Sequence, residues 1–420
     1  MNGIKRFSFF IFSNAEKVYK CLKYVRDMFF TKVEKEYGNL FKKTYNDEFF
    51  GVSPPSIFIG SKLRYPKVNV GILSPPERVE DAWLYDKEEY WSEKNFTVKD
   101  VLKLRGNLIN SRFRSNVYDT GKFLDIAKEI AMSSKDIDLE IKLDKKIKMG
   151  LDFDKISNVM GPKGSLRKVK IVDNIKIKRS VEKVVEDKDL KAVDALKYLY
   201  KRGFEDSVMN KLLSVGVLGI KKNRKLVPTR WSITGTDDAI GKYLLEKIRN
   251  YDNIHENQLF FGGFMGNFYL IMLFPEMFSY ELFEMYVPGS AWNPGEKLKM
   301  STDYESYFGR KNYATATAGG YYASRLSCLR KLESLKKQCG VLAIRFELPA
   351  YWASLGVWVV RESSKKALNM EPLIFENKEN MLEYGRKLIL KKFGYDLNFI
   401  FKNSKLLESL KQKKINDFIL

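Results

Sequence analysis

The sequence predicts an α+β protein of two domains followed by a flexible C-terminal tail. Three observations carry that expectation. Segments with helical periodicity alternate with β-rich runs fenced by proline, the last third sets a long helical stretch beside two apolar runs, and the chain ends in a polar, lysine-rich segment. With 420 residues, 45% of them hydrophobic, the chain can bury a large core.

Residues 15–37 place Val18, Leu22, Val25, Met28 and Phe29 at three- and four-residue steps, which predicts a first helix. Two β-rich runs follow at 56–59 and 67–72, fenced by Ser53-Pro54-Pro55 and Ser74-Pro75-Pro76. Residues 101–117 form a basic helix or strand with Arg105, Arg112 and Arg114 close together. These arginines either track phosphates or pair with Asp81, Asp86 or Glu88. Residues 127–148 are charge-rich and poor in aromatics, as in an exposed helix, and 166–177 alternate Val and Lys like a strand. The GPKG at 161–164 lacks the GxxxxGK[ST] spacing of a phosphate loop.

Residues 187–231 have a more specific pattern. A helix runs through Ala192, Leu196 and Leu199, Gly203 makes a turn, and a second helix covers 205–214. A hairpin over 215–229 then carries a basic tip of Lys221, Lys222, Arg224 and Lys225. This is winged-helix-like, with the second helix suited to the major groove and the wing to phosphates. The alternative is a helical hairpin packed into the core beside a solvated loop.

Asp237 and Asp238 form a carboxylate pair of the kind that holds a divalent cation. The simpler reading makes Thr236 or Asp237 the cap of a helix over 239–248. Apolar strands are expected through 278, then a loop with Pro288, Gly289, Pro294 and Gly295. Beyond it come a helix over 321–339, a strand over 341–348 and a strand over 357–361. Arg361-Glu362 would end that last strand, a position from which catalytic groups are often presented, although ion pairing explains it as well. The domains are placed at 1–275 and 276–405, with a tail at 406–420.

Composition sets limits on chemistry. Lys and Arg number 74 against 52 Asp and Glu, a net charge of +22, so polyanions and nucleic acid first of all are the expected partners. A merely solvating excess of charge is the alternative. His255 is the only histidine, which disfavours a Ser-His-Asp triad, an HExxH zinc site and a Cys/His finger. Any metal would need carboxylate ligands. Cys21, Cys328 and Cys339 are an odd, widely spaced set, which fits a reducing cytoplasm. The apolar runs at 7–12 and 268–274 are too short for a secretory leader or a membrane span, so a cytoplasmic protein without membrane contact is expected.

The last nine residues read QKKINDFIL. They resemble the clamp-binding PIP motif, with Gln412 at the start, Ile415 three residues on, and Phe418 and Ile419 as the aromatic and hydrophobic positions. One 3₁₀ turn would put Ile415 and Phe418 on one side as an apolar plug, and Gln412 can hydrogen-bond at a pocket rim. Lys411, Lys413 and Lys414 add steering towards an acidic partner. A frayed end packed on its own domain is the alternative.

YPKVNVG at 65–71, VPTRWSITGTDD at 227–238 and LGVWVVRE at 355–362, together with the terminal motif, resemble the archaeal Nre family of DNA repair proteins over nearly the whole chain. The resemblance implies a role in DNA damage repair, the archaeal sliding clamp PCNA as partner, and an N-terminal and a C-terminal Nre domain. Many members carry a Cys-rich zinc element near the N-terminus, where this chain has only Cys21, so zinc is not carried over and no cofactor is expected. The leading expectation is a clamp-recruited repair factor whose basic body engages DNA. The rivals are a DNA-processing enzyme, either a metal-dependent nuclease or a group transferase using Asp237, Asp238 or Glu362, and a non-specific RNA binder.

Overall fold

The computed structural model describes residues 44–148, 150–151 and 157–411. The helix expected over 15–37, Cys21 and the motif at 412–420 lie outside the described residues. The architecture is α+β, built as four layers: a sheet, helices, a second sheet and a second group of helices.

The first sheet, in the order β2-β6-β8-β5-β4-β3, comprises β2 (Glu48–Ser53), β3 (Ser56–Gly60), β4 (Lys67–Ser74), β5 (Ile109–Asn116), β6 (Ile137–Leu143) and β8 (Lys163–Ile171). All neighbours are antiparallel except β5 with β8. Two short strands, β1 (Thr44–Tyr45) and β7 (Ile147–Lys148), pair beside it. Period-two alternation gives each strand one apolar face. Val68, Val70 and Ile72 of β4, with Ile137, Leu139 and Ile141 of β6, enter the core, and the intervening residues face outward.

Between β4 and β5 lie the short helices α1 (Glu88–Glu93) and α2 (Val98–Gly106). The core face of the sheet is covered by α3 (Lys122–Met132) and by the helices α4 (Arg179–Glu186), α5 (Ala192–Lys201), α6 (Asp206–Ser214) and α7 (Thr229–Ile248). Helix α7 packs on α6 and on α8 (Ala318–Leu335), α8 packs on α9 (Trp358–Asn369), and α9 packs on the second sheet.

That second sheet, in the order β12-β11-β13-β10-β9-β14, comprises β9 (Asn257–Phe264), β10 (Asn267–Phe274), β11 (Ser279–Tyr286), β12 (Lys299–Glu305), β13 (Gly340–Glu347) and β14 (Leu373–Phe375). Its central strands are buried on both faces because both are covered, and apolar but for a few partnered charges such as Arg345 and Glu284. Tyr269, Ile271 and Leu273 meet the helical layer, while Leu270, Met272 and Phe274 meet the helices α10 (Lys378–Phe393), α11 (Asn398–Asn403) and α12 (Lys405–Ser409). Strand β10 pairs with β13 along its whole length, so strands from both sides of residue 275 share this sheet.

Five local expectations are corrected. The helix expected over 127–148 ends at Met132, and β6 follows, because Ile137, Leu139, Ile141 and Leu143 alternate onto the core. Residues 215–229 form no hairpin: Gly216 and Gly219 take positive φ, and a 3₁₀ turn occupies Lys221–Asn223. Thr236 and Asp237 do not cap a helix but sit in the middle of α7, which starts at Thr229 after Pro228. The segment from Trp358 is helical, since β-branched residues mimic a strand but every side of this turn is buried. Finally, the start of the tail at 406 is held. Glu281 accepts hydrogen bonds from the Ser404 hydroxyl and the Lys405 and Leu406 amides, and Leu406 and Leu407 are buried against the second sheet.

The GPKG segment has a structural use. A Cβ on Gly161 would lie 2.2 Å from the Leu108 carbonyl oxygen and 2.6 Å from that of Gly106, so only glycine permits this approach beside β5. Gly161→Ala should lower stability by roughly 1–3 kcal/mol, the range for overpacking, whereas Gly150→Ala, with nothing within 4 Å, should leave it nearly unchanged. Urea unfolding of the two variants measures both.

Candidate nucleic-acid interface

The outward face of the first sheet is basic along β4, β5 and β8, while on β6 and β2 it carries Asp138, Glu140 and Glu48, the last paired with Lys142 at 3.0 Å. Because Phe113 packs inward on Phe123, alternation sends Arg112 and Arg114 outward, opposite Gly71 and Asn69 of β4. Lys67 and Lys163 lie on the same face, one at the end of β4 and the other paired with Asn110. Past a bulge in β6–β8, Lys168 and Lys170 extend it opposite Lys142 and Glu140. Gly71 leaves space that the Asn110 side chain fills: a Cβ there would meet its Oδ1 at 1.9 Å. Lys67, Lys163, Lys168 and Lys170 were not picked out from sequence, although the alternation in KVNVG and KGSLRKVKI is a signal that could have placed them.

The other basic candidates do not join this row. Arg105 is 3% exposed, and its guanidinium donates to the Val159 carbonyl at 2.8 Å, to the Tyr85 carbonyl at 3.3 Å and to Asp86 at 2.5 Å. It is a core residue, as its spacing next to Asp86 allowed. Arg224 folds back to donate at 2.7 Å to each of the Gly219, Val185 and Asp187 carbonyls, which shapes the loop that replaces the expected wing. Lys221 and Lys222 are exposed on that loop's 3₁₀ turn.

Lys225 instead meets the rim of the basic face. Its ammonium sits 5.5 Å over the Tyr118 ring and donates to the Tyr118 hydroxyl at 3.4 Å. Beside it, the rings of Tyr65 and Trp231 lie 5.5 Å apart, bringing the segment before β4 against the first turn of α7. Tyr65, Tyr118 and Trp231 are all exposed. Exposed aromatics beside cations are the surface on which unpaired bases stack.

The three carboxylates considered for catalysis are not brought together. Both Asp237 oxygens accept from Arg361 Nη2, at 2.7 and 2.8 Å. Asp238 pairs with Lys242 at 2.7 Å, and Glu362 lies 3.6 Å from Lys365. Among the described residues no three His, Cys, Asp or Glu side chains are grouped to hold a metal ion. The nuclease geometry built on Asp237, Asp238 and Glu362 is therefore not assembled.

Asp237 belongs instead to a buried ionic knot. Arg330 of α8 donates to both oxygens of Asp206 at 2.9 and 2.7 Å, and Arg361 Nε of α9 lies 3.4 Å from Asp206. Burial alone would raise Asp206, but Arg330 and Arg361 outweigh it and hold the carboxyl well below the ordinary range. Burial, only partly offset by Arg361, pushes Asp237 up to about 6.

A cavity of about 60 Å³ adjoins the knot, lined by Asp86, Glu88, Arg105, Lys211 and Arg361 among others. Asn158 Nδ2 donates to Glu88 at 3.3 Å. Burial, reinforced by the neighbouring Glu89 charge, pushes Glu88 up to about 8, and burial pushes Glu89 up to about 7.

Two outcomes follow from these geometries. Arg361→Met strands Asp237 in the core and leaves Asp206 to Arg330 alone, and urea unfolding should show a loss of roughly 3–5 kcal/mol, with Arg361→Met/Asp237→Leu recovering part of it. The second concerns pH. The folded state keeps the protons of Glu88 and Glu89 to higher pH than the unfolded chain does, so their contribution is present at low pH and declines as pH rises through about 7 to 8. Glu88→Gln should flatten the fall in melting temperature between pH 5 and 9, and an unaltered slope would contradict the assignment.

Comparison with known proteins places the chain. The family described as Archaeal Nre, N-terminal matches residues 29–293, and that described as Archaeal Nre, C-terminal matches residues 305–418. The DNA repair protein NreA of Haloferax volcanii is 36% identical over 356 residues, covering 80% of this chain and 84% of that protein. The DNA repair protein NreB of Archaeoglobus fulgidus is 36% identical over 340 residues, covering 81% of this chain and 85% of its own length. NreA of the same organism is also 36% identical, over 337 residues, with 79% and 82% covered. No solved structure matches the chain at a significant level. With both family regions matched and a third of the positions identical across four-fifths of its length, the chain belongs to the archaeal Nre family.

Proposed function

We propose that this protein is a DNA repair factor that binds DNA on the outer face of its first sheet and is recruited to the sliding clamp PCNA through residues 412–420. The observation that carries the reading is the basic face itself: Arg112, Arg114, Lys67, Lys168 and Lys170 project from one sheet face that no described helix covers, in a chain of net charge +22. A strand face is a stable platform for cations, and a row of them along neighbouring strands suits a polyphosphate backbone. The relatives named as DNA repair proteins support repair as the context, and DNA as the polyanion to test first.

Recruitment rests on the terminal motif of Gln412, Ile415, Phe418 and Ile419. The chain reaches that motif from a fixed point, because α12 is seated on Glu281 and ends at Ser409. A tether of this kind raises the local concentration of the basic face at clamp-bearing DNA without adding a contact to it.

The two functions should separate. Arg112→Ala/Arg114→Ala should weaken DNA binding in an anisotropy titration and reduce the slope of log K against log salt by roughly 2, about one for each phosphate that an arginine neutralises, with clamp affinity unchanged. Deleting residues 412–420 should abolish clamp binding in a calorimetric titration while leaving DNA affinity intact. Clamp affinity that survives the deletion would sink the recruitment reading, and an unchanged salt slope would sink the DNA face.

A further inference from the structure

At one edge of the basic face, the first turns of α7 and the loop before α8 enclose a surface pocket of about 380 Å³, lined by Arg230, Trp231, Gly235, Asp238, Tyr313 and Tyr322 among others. We propose that this pocket receives a single unpaired nucleobase from a DNA strand whose phosphates run over the basic face. The proposal rests on the DNA-binding reading and narrows it to a substrate class, single-stranded or locally unpaired DNA.

Four features of the pocket favour such an occupant. Its walls are aromatic and open to solvent: Trp231 is 48% exposed and Tyr313 is 50% exposed. Tyr313 is backed by Tyr322, with ring centroids 5.1 Å apart and planes 27° from parallel, so its orientation is set by a neighbour. Large exposed rings held in position offer a base a face to stack on.

The second feature is Arg230. Its Nε is buried and has no hydrogen-bond partner, and its guanidinium makes no ion pair with a described residue. An aromatic pocket with a cation already at its wall repels cationic ligands such as an alkylammonium, and it suits a neutral planar ring attached to an anionic backbone.

Gly235 is the third. It sits inside α7, where glycine costs a helix about 0.5–1 kcal/mol relative to alanine, yet the nearest atom to a Cβ there would be Leu213 Cδ2 at 3.9 Å. Packing within the protein does not require glycine at this position. Its effect is to leave the pocket wall flat and the helix backbone within reach of a planar group.

The fourth is Asp238, whose carboxylate pairs with Lys242 at 2.7 Å and lines the pocket, leaving acceptor capacity for the amino or ring N–H groups of a base edge. Access from the basic face runs over Tyr65, whose ring lies 5.5 Å from that of Trp231. The pocket's volume is at the lower end of the range of roughly 300–1,000 Å³ typical of ligand sites.

The test is an anisotropy titration of the full chain with a fluorescein-labelled thymidine oligonucleotide, the same oligonucleotide with abasic sites, and a fully paired duplex. Trp231→Ala and Tyr313→Ala, both exposed and so tolerated by the fold, should each weaken binding of the thymidine oligonucleotide roughly tenfold, the loss expected for one base stack. Binding of the abasic strand and the duplex should change less than twofold. Trp231→Phe should restore most of the lost affinity. Equal behaviour of wild type and Trp231→Ala on the thymidine oligonucleotide would overturn the pocket while leaving the DNA face standing, and absence of binding to every DNA would overturn the underlying reading instead. Competition by free thymidine monophosphate at oligonucleotide-like concentrations would assign the pocket to a free nucleotide, and tighter binding of the matching RNA would assign it to RNA. Either result contradicts the proposal.

Discussion

Arg361 and Arg330 meet Asp206 and Asp237 where α6, α7, α8 and α9 cross, and this buried knot fixes how the helical layer is assembled. Each of the four helices contributes one member, so none can shift without leaving a charge unpaired in the core. Such a knot adds little net stability, since desolvation consumes most of the attraction, but breaking it is expensive. Its contribution is therefore geometric. It fixes α7, which carries Trp231 at one end, against α9, which rests on the second sheet. A comparable cluster lies within that sheet, where Arg345 bonds Glu284 at 2.5 Å, Glu347 at 2.8 Å and Asn267.

The two sheets are used differently. The second is covered on both faces, so its central strands are buried on both, their few charges paired within the sheet, and its role is to carry the helices. The first is covered on one face by α3 and the helices that follow, and its other face presents alternating basic side chains. The same period-two alternation that buries Val68, Val70 and Ile72 exposes Lys67 and, across the ladder, Arg112 and Arg114. The core pattern and the charge pattern are thus one property of these strands, and a one-residue register slip would exchange them.

Much of this was legible before the structure was known. The α+β class, β3 and β4 between their proline fences, the two helices around Gly203, and α8 with β13 all follow from periodicity and punctuation. The errors share a cause. VWVVRE has the composition of a strand, but a helix buried all round has no polar face to reveal its period. Thr236 and Asp237 look like a cap because a polar pair within a helix is unusual, and Asp237 is explained only by Arg361, which is 124 residues away in sequence. Arg105, Arg112 and Arg114 were grouped by proximity in sequence, yet a helix end and a strand separate them, and the first points into the core. The segments 65–71, 227–238 and 355–362 stood out as words in the sequence; in space Tyr65 meets Trp231, and Asp237 meets Arg361.

Together these points describe a protein whose buried charges hold a basic sheet face and an aromatic rim in fixed relation, and the motif proposed to bind the clamp follows the last docked helix in the sequence. The central claim is that DNA lies on that face. Ultraviolet cross-linking of the full chain to a single-stranded oligonucleotide, followed by mass spectrometry of the attached peptides, tests it most directly. The account predicts attachment at peptides containing Tyr65, residues 109–118 and Trp231. Cross-links confined to α10, α11 and the second sheet would contradict it.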